Sequence, residues 1–274
     1  MRIGLNEIPE HTSPEEWADI LAKKGYRAAV FPGNYRTPVH VLDAYVKAAN
    51  SRDIMIAEVG VWTSPFVRDP VKSEEARCVC EEQFRLADYV QAECCVNVSG
   101  ASGDNWYGCF KDNFSESLYK ENLEFIRELC DRVKPVYTSY VLEPMQWMLP
   151  DSPEQYLRFL KDVNRPAFKV HMDVVNFVKD PYTYTHIPEL IHTSFDLLSP
   201  YIKSCHLKDF AMGKGTTVVI QEVPIGEGAM DFASYLGHIG QLGADIPVLI
   251  EHQQGMAAYD KALGYIRQHF LPCR

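Results

Sequence analysis

Positive charge is in short supply in this chain. Its 27 Lys and Arg face 37 Asp and Glu, for a formal charge of −10. Phosphate backbones are gripped by clustered cations, so this balance excludes a nucleic-acid surface and fits a neutral or weakly anionic small molecule. No apolar run approaches the roughly 20 residues that cross a bilayer, so no membrane partner is expected. The opening MRIGLNEIPEH lacks the charged leader and apolar core of a secretory signal, and the expected location is cytoplasmic. Eight cysteines are present without a metal-binding array. Cys78 and Cys80 fall on a predicted helix, and Cys94 and Cys95 are strand neighbours on opposite faces, as expected of reduced thiols inside a cytosolic protein. Walker-type loops, dinucleotide fingerprints, charge blocks and low-complexity tracts are missing too.

What is present is a core and a rhythm. Hydrophobic residues make up 46% of 274 positions and aromatics 12%, enough for one large buried interior. Strand and helix signals alternate along the whole chain, which implies a parallel sheet. Strands are expected at Arg2–Asn6, Ala28–Phe31, Ile54–Val61, Cys94–Val98, Tyr137–Leu142, Ala167–Met172, Ile202–Leu207 and Val248–Ile250. Ser13 with Pro14 and Glu16, and Ser152 with Pro153, open helices. The chain also predicts helices near Pro38–Ser51, through SEEARCVCEEQFRLADYV, at Glu116–Val133, Asp231–Leu242 and Met256–Phe270, and one or two short ones within Pro181–Ser199. Two long loops, Ser99–Asn113 and Ala211–Glu227, interrupt the rhythm. Eight β/α units over residues 1–274 read as a single-domain (β/α)8 TIM barrel in the α/β class.

Four donors follow strands in this scheme: Glu143 in YVLEP, Asp173 in KVHMD, His206 in SCHLKD and Glu251 in VLIEH, at intervals of 30, 33 and 45 residues. Residues at the carboxyl ends of barrel strands converge on one mouth. Three carboxylates and one imidazole make a site for one divalent cation, Mn²⁺ first, with Mg²⁺, Co²⁺ and Zn²⁺ also admissible. Such a site leaves two positions of an octahedral shell for a vicinal hydroxy-carbonyl unit. The metal then acidifies the adjacent C–H, and Glu143 and Glu251 can remove and return the proton through an enediolate. A lone strand-end Glu or His is usually a cap or a satisfied polar group; it is the set of four at barrel spacing that carries the reading.

Other residues at the predicted mouth are candidate substrate contacts. Trp62 and Trp106 could stack on a sugar face, or cover a core; Trp147 is a weaker case, and Trp17 is helix packing. Lys208 could hold a substrate oxygen or pair with Asp209, and Asn176 could bind a hydroxyl or cap a turn. Glu58 shares strand parity with Ile56 and Gly60, and if that parity faces inward it is a buried acid within reach of substrate. His171 points inward one layer below Asp173, and His252 should point away from Glu251. Glu222 and Glu227 sit in the second long loop, where Gly226 and Gly228 serve a tight backbone. Lys208 and Lys214 are the clearest cations near the mouth, which favours a neutral sugar over a phosphorylated one.

LEP with Glu143, MDVVN with Asp173, CHLKDF with His206, PIGEGAMDF at Pro224–Phe232 and IEH with Glu251 resemble the xylose isomerase-like TIM barrel superfamily, in its sugar phosphate isomerase/epimerase branch. The resemblance runs along nearly the full chain. It implies one divalent metal, usually manganese or a relative, on Glu143, Asp173, His206 and Glu251, with the two glutamates as the acid/base pair. Better-known epimerases carry D-x-x-H after strand six, where this chain has Asn176. They also carry a second Glu after the strand-five ligand, in the stretch holding Leu149, and an Arg after the strand-seven His, absent from Ala211–Gly213. Endonuclease IV, in the same superfamily, needs histidines that FPGNY, VGVWT and QEVPIGEG lack. The expected function is therefore a metal-dependent isomerase or epimerase of a small sugar or sugar-derived ketone. The alternatives are a lyase or dehydratase using the same enolate, or a non-catalytic sugar-binding barrel. A homo-oligomer is compatible with the sequence.

Overall fold

The computed structural model describes residues 1–271. Its strands are β1 (Arg2–Leu5), β2 (Ala28–Val30), β3 (Met55–Gly60), β4 (Cys94–Asn97), β5 (Ser139–Leu142), β6 (Phe168–Met172), β7 (Ile202–Leu207), β8 (Asp209–Met212), β9 (Ile220–Val223) and β10 (Pro247–Ile250). Eight of them are parallel and close a barrel in the order β1-β10-β7-β6-β5-β4-β3-β2, while β8 and β9 form a separate antiparallel pair. The helices are α1 (Pro14–Lys24), α2 (Val39–Ser51), α3 (Pro70–Tyr89), α4 (Glu116–Val133), α5 (Pro153–Val163), α6 (Pro181–Thr185), α7 (Ile187–Leu198), α8 (Phe232–Leu242) and α9 (Met256–Phe270). None is long and apolar enough to cross a membrane among the described residues.

Local chemistry accounts for the helix starts. Ser13 accepts from the Glu16 amide with Pro14 at the first turn, and Ser152 does the same for Gln155 with Pro153. Asp180 and Thr183 form a reciprocal capping box that starts α6. Strand alternation then sorts side chains into two layers. Tyr140, Leu142, Val170, Met172, Cys205, Leu207, Val248 and Ile250 join the large cluster shared with the helices. Val141 and Leu249 belong instead to small clusters with residues of other strands, Cys94 and Val96 in one case, Ala28 and Ala57 in the other. A residue one step beyond each strand on the inner parity is thereby aimed at the barrel mouth.

Two features differ from the sequence expectation. The Ala211–Glu227 stretch is not irregular throughout: β8 and β9 pair with Phe210 opposite Glu222, so a hairpin stands over the mouth. The β-branched, alternating run TTVVIQEV carries that signal. Glu58 is a buried acid facing inward, opposite Cys94 of β4 as Gly60 is opposite Val96, but Ile56 does not share that face. The β2–β3 register skips a residue between Ile56 and Glu58, which places Ile56 in the outer cluster and Ala57 in an inner one. That irregularity re-aims Glu58 into the barrel.

Candidate metal centre

Glu143, Asp173 and Glu251 each stand one residue past β5, β6 and β10, and His206 is the penultimate residue of β7. One ligand atom from each lies within 4.8 Å of every other, and all four residues are buried. His206 turns Nδ1 toward the carboxylates, at 2.9 Å from Glu251 Oε2, 3.7 Å from Glu143 Oε1 and 3.8 Å from Asp173 Oδ2. Its other nitrogen, Nε2, lies 3.3 Å from Glu58 Oε2. Glu58 in turn approaches His171 Nδ1 at 3.2 Å, and that same nitrogen is 2.6 Å from Ser204 Oγ. Below the four donors therefore lies a wholly buried polar layer that orients the imidazole. A carboxylate behind a ligating histidine fixes its tautomer and raises its basicity.

Lys208 shares the inward parity of His206. Its Nζ is 2.8 Å from Asp173 Oδ2, 2.6 Å from Glu251 Oε2 and 3.4 Å from Glu143 Oε1, with Glu222 Oε1 at 3.6 Å. Burial disfavours the ammonium, but Asp173, Glu251 and Glu143 outweigh it and hold the pKa well above the usual lysine value. Burial likewise opposes ionisation of Asp173, and Lys208 with His206 reverses it, keeping that carboxyl below the ordinary carboxylate range. For His206, burial opposes the cation; Glu251 and Glu58 overcome it and raise the pKa.

A divalent cation fits this donor set. Asp173 Oδ2, His206 Nδ1 and Glu251 Oε2 converge in a buried site where their close polar neighbours are one another and the Lys208 ammonium. Three carboxylates and an imidazole gathered this closely make the mixed oxygen and nitrogen shell that a divalent cation accepts. Two asparagines orient the glutamates. Asn176 Nδ2 donates to Glu143 Oε1 at 2.8 Å, and Asn6 Nδ2 donates to Glu251 Oε1 at 2.6 Å.

The donors face a cavity of about 650 Å³ whose wall includes Glu143, Glu251, Lys208 and Asn176 together with Trp62, Trp106 and Trp147. Glu58 is not on that wall. It is fully buried beneath His206, so its expected contact with substrate is replaced by a contact with the imidazole. Asp209 does not pair with Lys208 either. As the next residue along the strand it faces away and accepts from the backbone amides of Phe210, Gly226, Gly228 and Met230, at 2.9 to 3.0 Å. A Cβ on Gly228 would collide with its carboxylate. Lys214 lies exposed in the hairpin turn, and Glu227 pairs with Lys261 instead of facing the site.

Several wall residues escaped sequence reasoning. Asn6 stands one residue past β1, the same kind of position that marked the donors. His252 was expected to face away from Glu251. Its backbone takes a left-handed φ of 53°, which brings Nδ1 within 2.7 Å of Glu222 Oε2 and Nε2 within 3.5 Å of Glu251 Oε1. The Glu222 contact and then burial, in opposite senses, leave the His252 pKa raised. Trp62 also sits at φ 53°. A bulky residue there costs about 1–3 kcal/mol, a strain that clusters at binding sites.

The family model described as xylose isomerase-like TIM barrel matches residues 18–269. No curated protein matches the sequence. Solved structures do match in fold. D-psicose 3-epimerase with D-tagatose from Clostridium cellulolyticum H10 is 13% identical, with full coverage of both chains and a TM-score of 0.71. The Bacillus anthracis protein described as a probable 3-DHS dehydratase, AsbF, is 15% identical over 98% of this chain and 100% of its own, with a TM-score of 0.75. A xylose isomerase-like barrel from Mycobacterium smegmatis in complex with magnesium is 15% identical over 97% and 95%, with a TM-score of 0.70. The alternation of buried strands, the closed barrel and the family match converge: this chain belongs to the xylose isomerase-like TIM barrel family.

Proposed function

We propose that the protein is a divalent-metal-dependent isomerase or epimerase of a small sugar or sugar-derived ketone. The observation that carries this reading is the convergence of Glu143, Asp173, His206 and Glu251 within 4.8 Å of one another, with Glu143 and Glu251 on the wall of a cavity large enough for such a ligand. These four would hold the cation, Mn²⁺ or Mg²⁺ foremost. Bound there, the metal supplies Lewis acidity that lowers the pKa of a C–H beside a carbonyl. The chain's own residues do the rest. Glu143 and Glu251 are both on the cavity wall, so one can take the proton and the other can return it. Asn176 and Asn6 each donate to one oxygen of these carboxylates and so orient them. Lys208 supplies a buried positive charge for an oxygen that gains negative charge during the transfer. The epimerase bound to D-tagatose supports a carbohydrate as ligand class.

A lyase reading is favoured by one observation. Expulsion of a β-substituent needs a proton donor for the departing group, and His252, hydrogen-bonded to Glu222, stands on the same wall. The dehydratase among the fold neighbours fits that reading. Incubation of the metal-loaded protein with a panel of ketoses in deuterated water tests both. Deuterium at the carbon next to the carbonyl, lost in Glu143→Gln, supports the isomerase or epimerase. Release of water or an aglycone supports the lyase. Neither result with any ketose or keto-glycoside overturns both.

A further inference from the structure

The cavity is larger than its metal end requires, and its two ends differ in chemistry. A free hexose fills on the order of 200 Å³, taking bonded atoms as closer-spaced than water at about 30 Å³ per molecule. That leaves more than half of the roughly 650 Å³. Beyond the metal end, Trp62, Trp106, Trp147, Met145, Met148 and Val98 form one apolar face of three indoles and two thioethers, while Glu7, Gln146, Gln221 and Gln253 line other parts of the cavity. The Trp62 and Trp106 rings lie 6.5 Å apart at 40°. Trp147 has its indole N–H committed to the Tyr107 carbonyl at 2.8 Å, which leaves its ring as an apolar surface.

This wall is built. Trp62 holds a left-handed backbone, and a Cβ on Gly60 would collide with its ring. Asn113, buried between the loops, donates to the carbonyls of Gly108 and Trp147 at 2.8 and 3.0 Å and ties the Trp106 loop to the Trp147 loop. Anionic ligands find little here. Among the described residues the wall carries no arginine, and its one lysine, Lys208, is already surrounded by carboxylates.

We propose that the physiological ligand has two parts: a sugar ring at the metal end and an uncharged aromatic ring against the three tryptophans. It is a neutral glycoside with an aromatic aglycone, its sugar ring carrying a keto group for the proposed reaction. A second sugar ring laid on the indole and thioether face would bring hydroxyls that this face does not partner. Flat rings are favoured by offset contact with indoles. The inference rests on the proposed function only in seating the sugar at the metal.

The test is calorimetric titration of the Mg²⁺-loaded full chain with paired phenyl and methyl β-D-glycosides of several hexoses and pentoses, and with β-linked disaccharides. At least one phenyl glycoside should bind about tenfold more tightly than its methyl partner and than any disaccharide. Trp62→Ala and Trp106→Ala should reduce that preference to about twofold while leaving Mg²⁺ affinity unchanged, which shows that the variants are folded. A preference for no phenyl member of any pair, tighter binding of a disaccharide, or a preference that survives both substitutions overturns the inference. Deuterium exchange into a ketose without phenyl preference would sink this inference alone. Phenyl preference without exchange would sink the proposed reaction alone.

Discussion

His206 has one ring nitrogen toward the carboxylates and the other toward Glu58, so the tautomer of one imidazole connects the buried layer to the site. Without Glu58, nothing in that layer holds the Nε2 proton. Glu58→Gln should weaken Mn²⁺ binding by about 10- to 100-fold, the usual cost of losing such a partner, and isothermal titration reads it directly. His206 also sets a pH dependence. Its pKa in the metal-free protein is raised by Glu251 and Glu58 against burial, so the cation must displace a proton from Nδ1. Asp173, with its depressed pKa, is already ionised at neutral pH and adds no such competition. Mn²⁺ affinity should therefore increase with pH up to the raised value of His206, with proton release seen as a buffer-dependent titration enthalpy. An affinity flat between about pH 6 and 8, with no proton release, would contradict this. Glu143→Gln or Glu251→Gln should each reduce deuterium exchange by about 10²- to 10⁴-fold, the range for one acid/base group.

Among the elements, the strands carried most of what the sequence disclosed. In the structure Val141 and Leu249 lie inside and Tyr140 and Ile250 outside, with Glu143, Asp173 and Glu251 one step past their strands and His206 near the end of β7. Parity misled where a strand was irregular. The register skip at Ala57 changes the face of every later residue of β3, and no residue type marks it. Backbone torsion was equally silent: His252 reaches the site through its left-handed φ, which local composition does not announce. Asp209 illustrates long-range organisation by one side chain. It collects three amides of the turn between β9 and α8 and that of Phe210 beside it, so the D of CHLKDF and the glycines of PIGEGAMDF are one structural unit. Asp209→Ala would leave these buried donors without an acceptor and should destabilise the protein by about 2–4 kcal/mol, measured by urea denaturation. A change below about 0.5 kcal/mol would show that the turn holds itself.

Viewed as a whole, the barrel divides its labour along the chain. Loops after β3, β4 and β5 bring the tryptophans, while β5, β6, β7 and β10 bring the donors and Lys208. Only the closed parallel order places the ends of β5 and β10 at one mouth. Metal should therefore stabilise the entire fold: at 100 times its dissociation constant, a ligand of the native state adds about 2.7 kcal/mol, seen as a rise in Tm that Asp173→Asn abolishes. Anomalous diffraction at the manganese edge from crystals soaked in Mn²⁺ examines the central claim most directly. A single strong peak within about 2.0–2.4 Å of Glu143, Asp173, His206 Nδ1 and Glu251 is the predicted result. Density with no peak among those four side chains, or a peak coordinated elsewhere in the barrel, would contradict it.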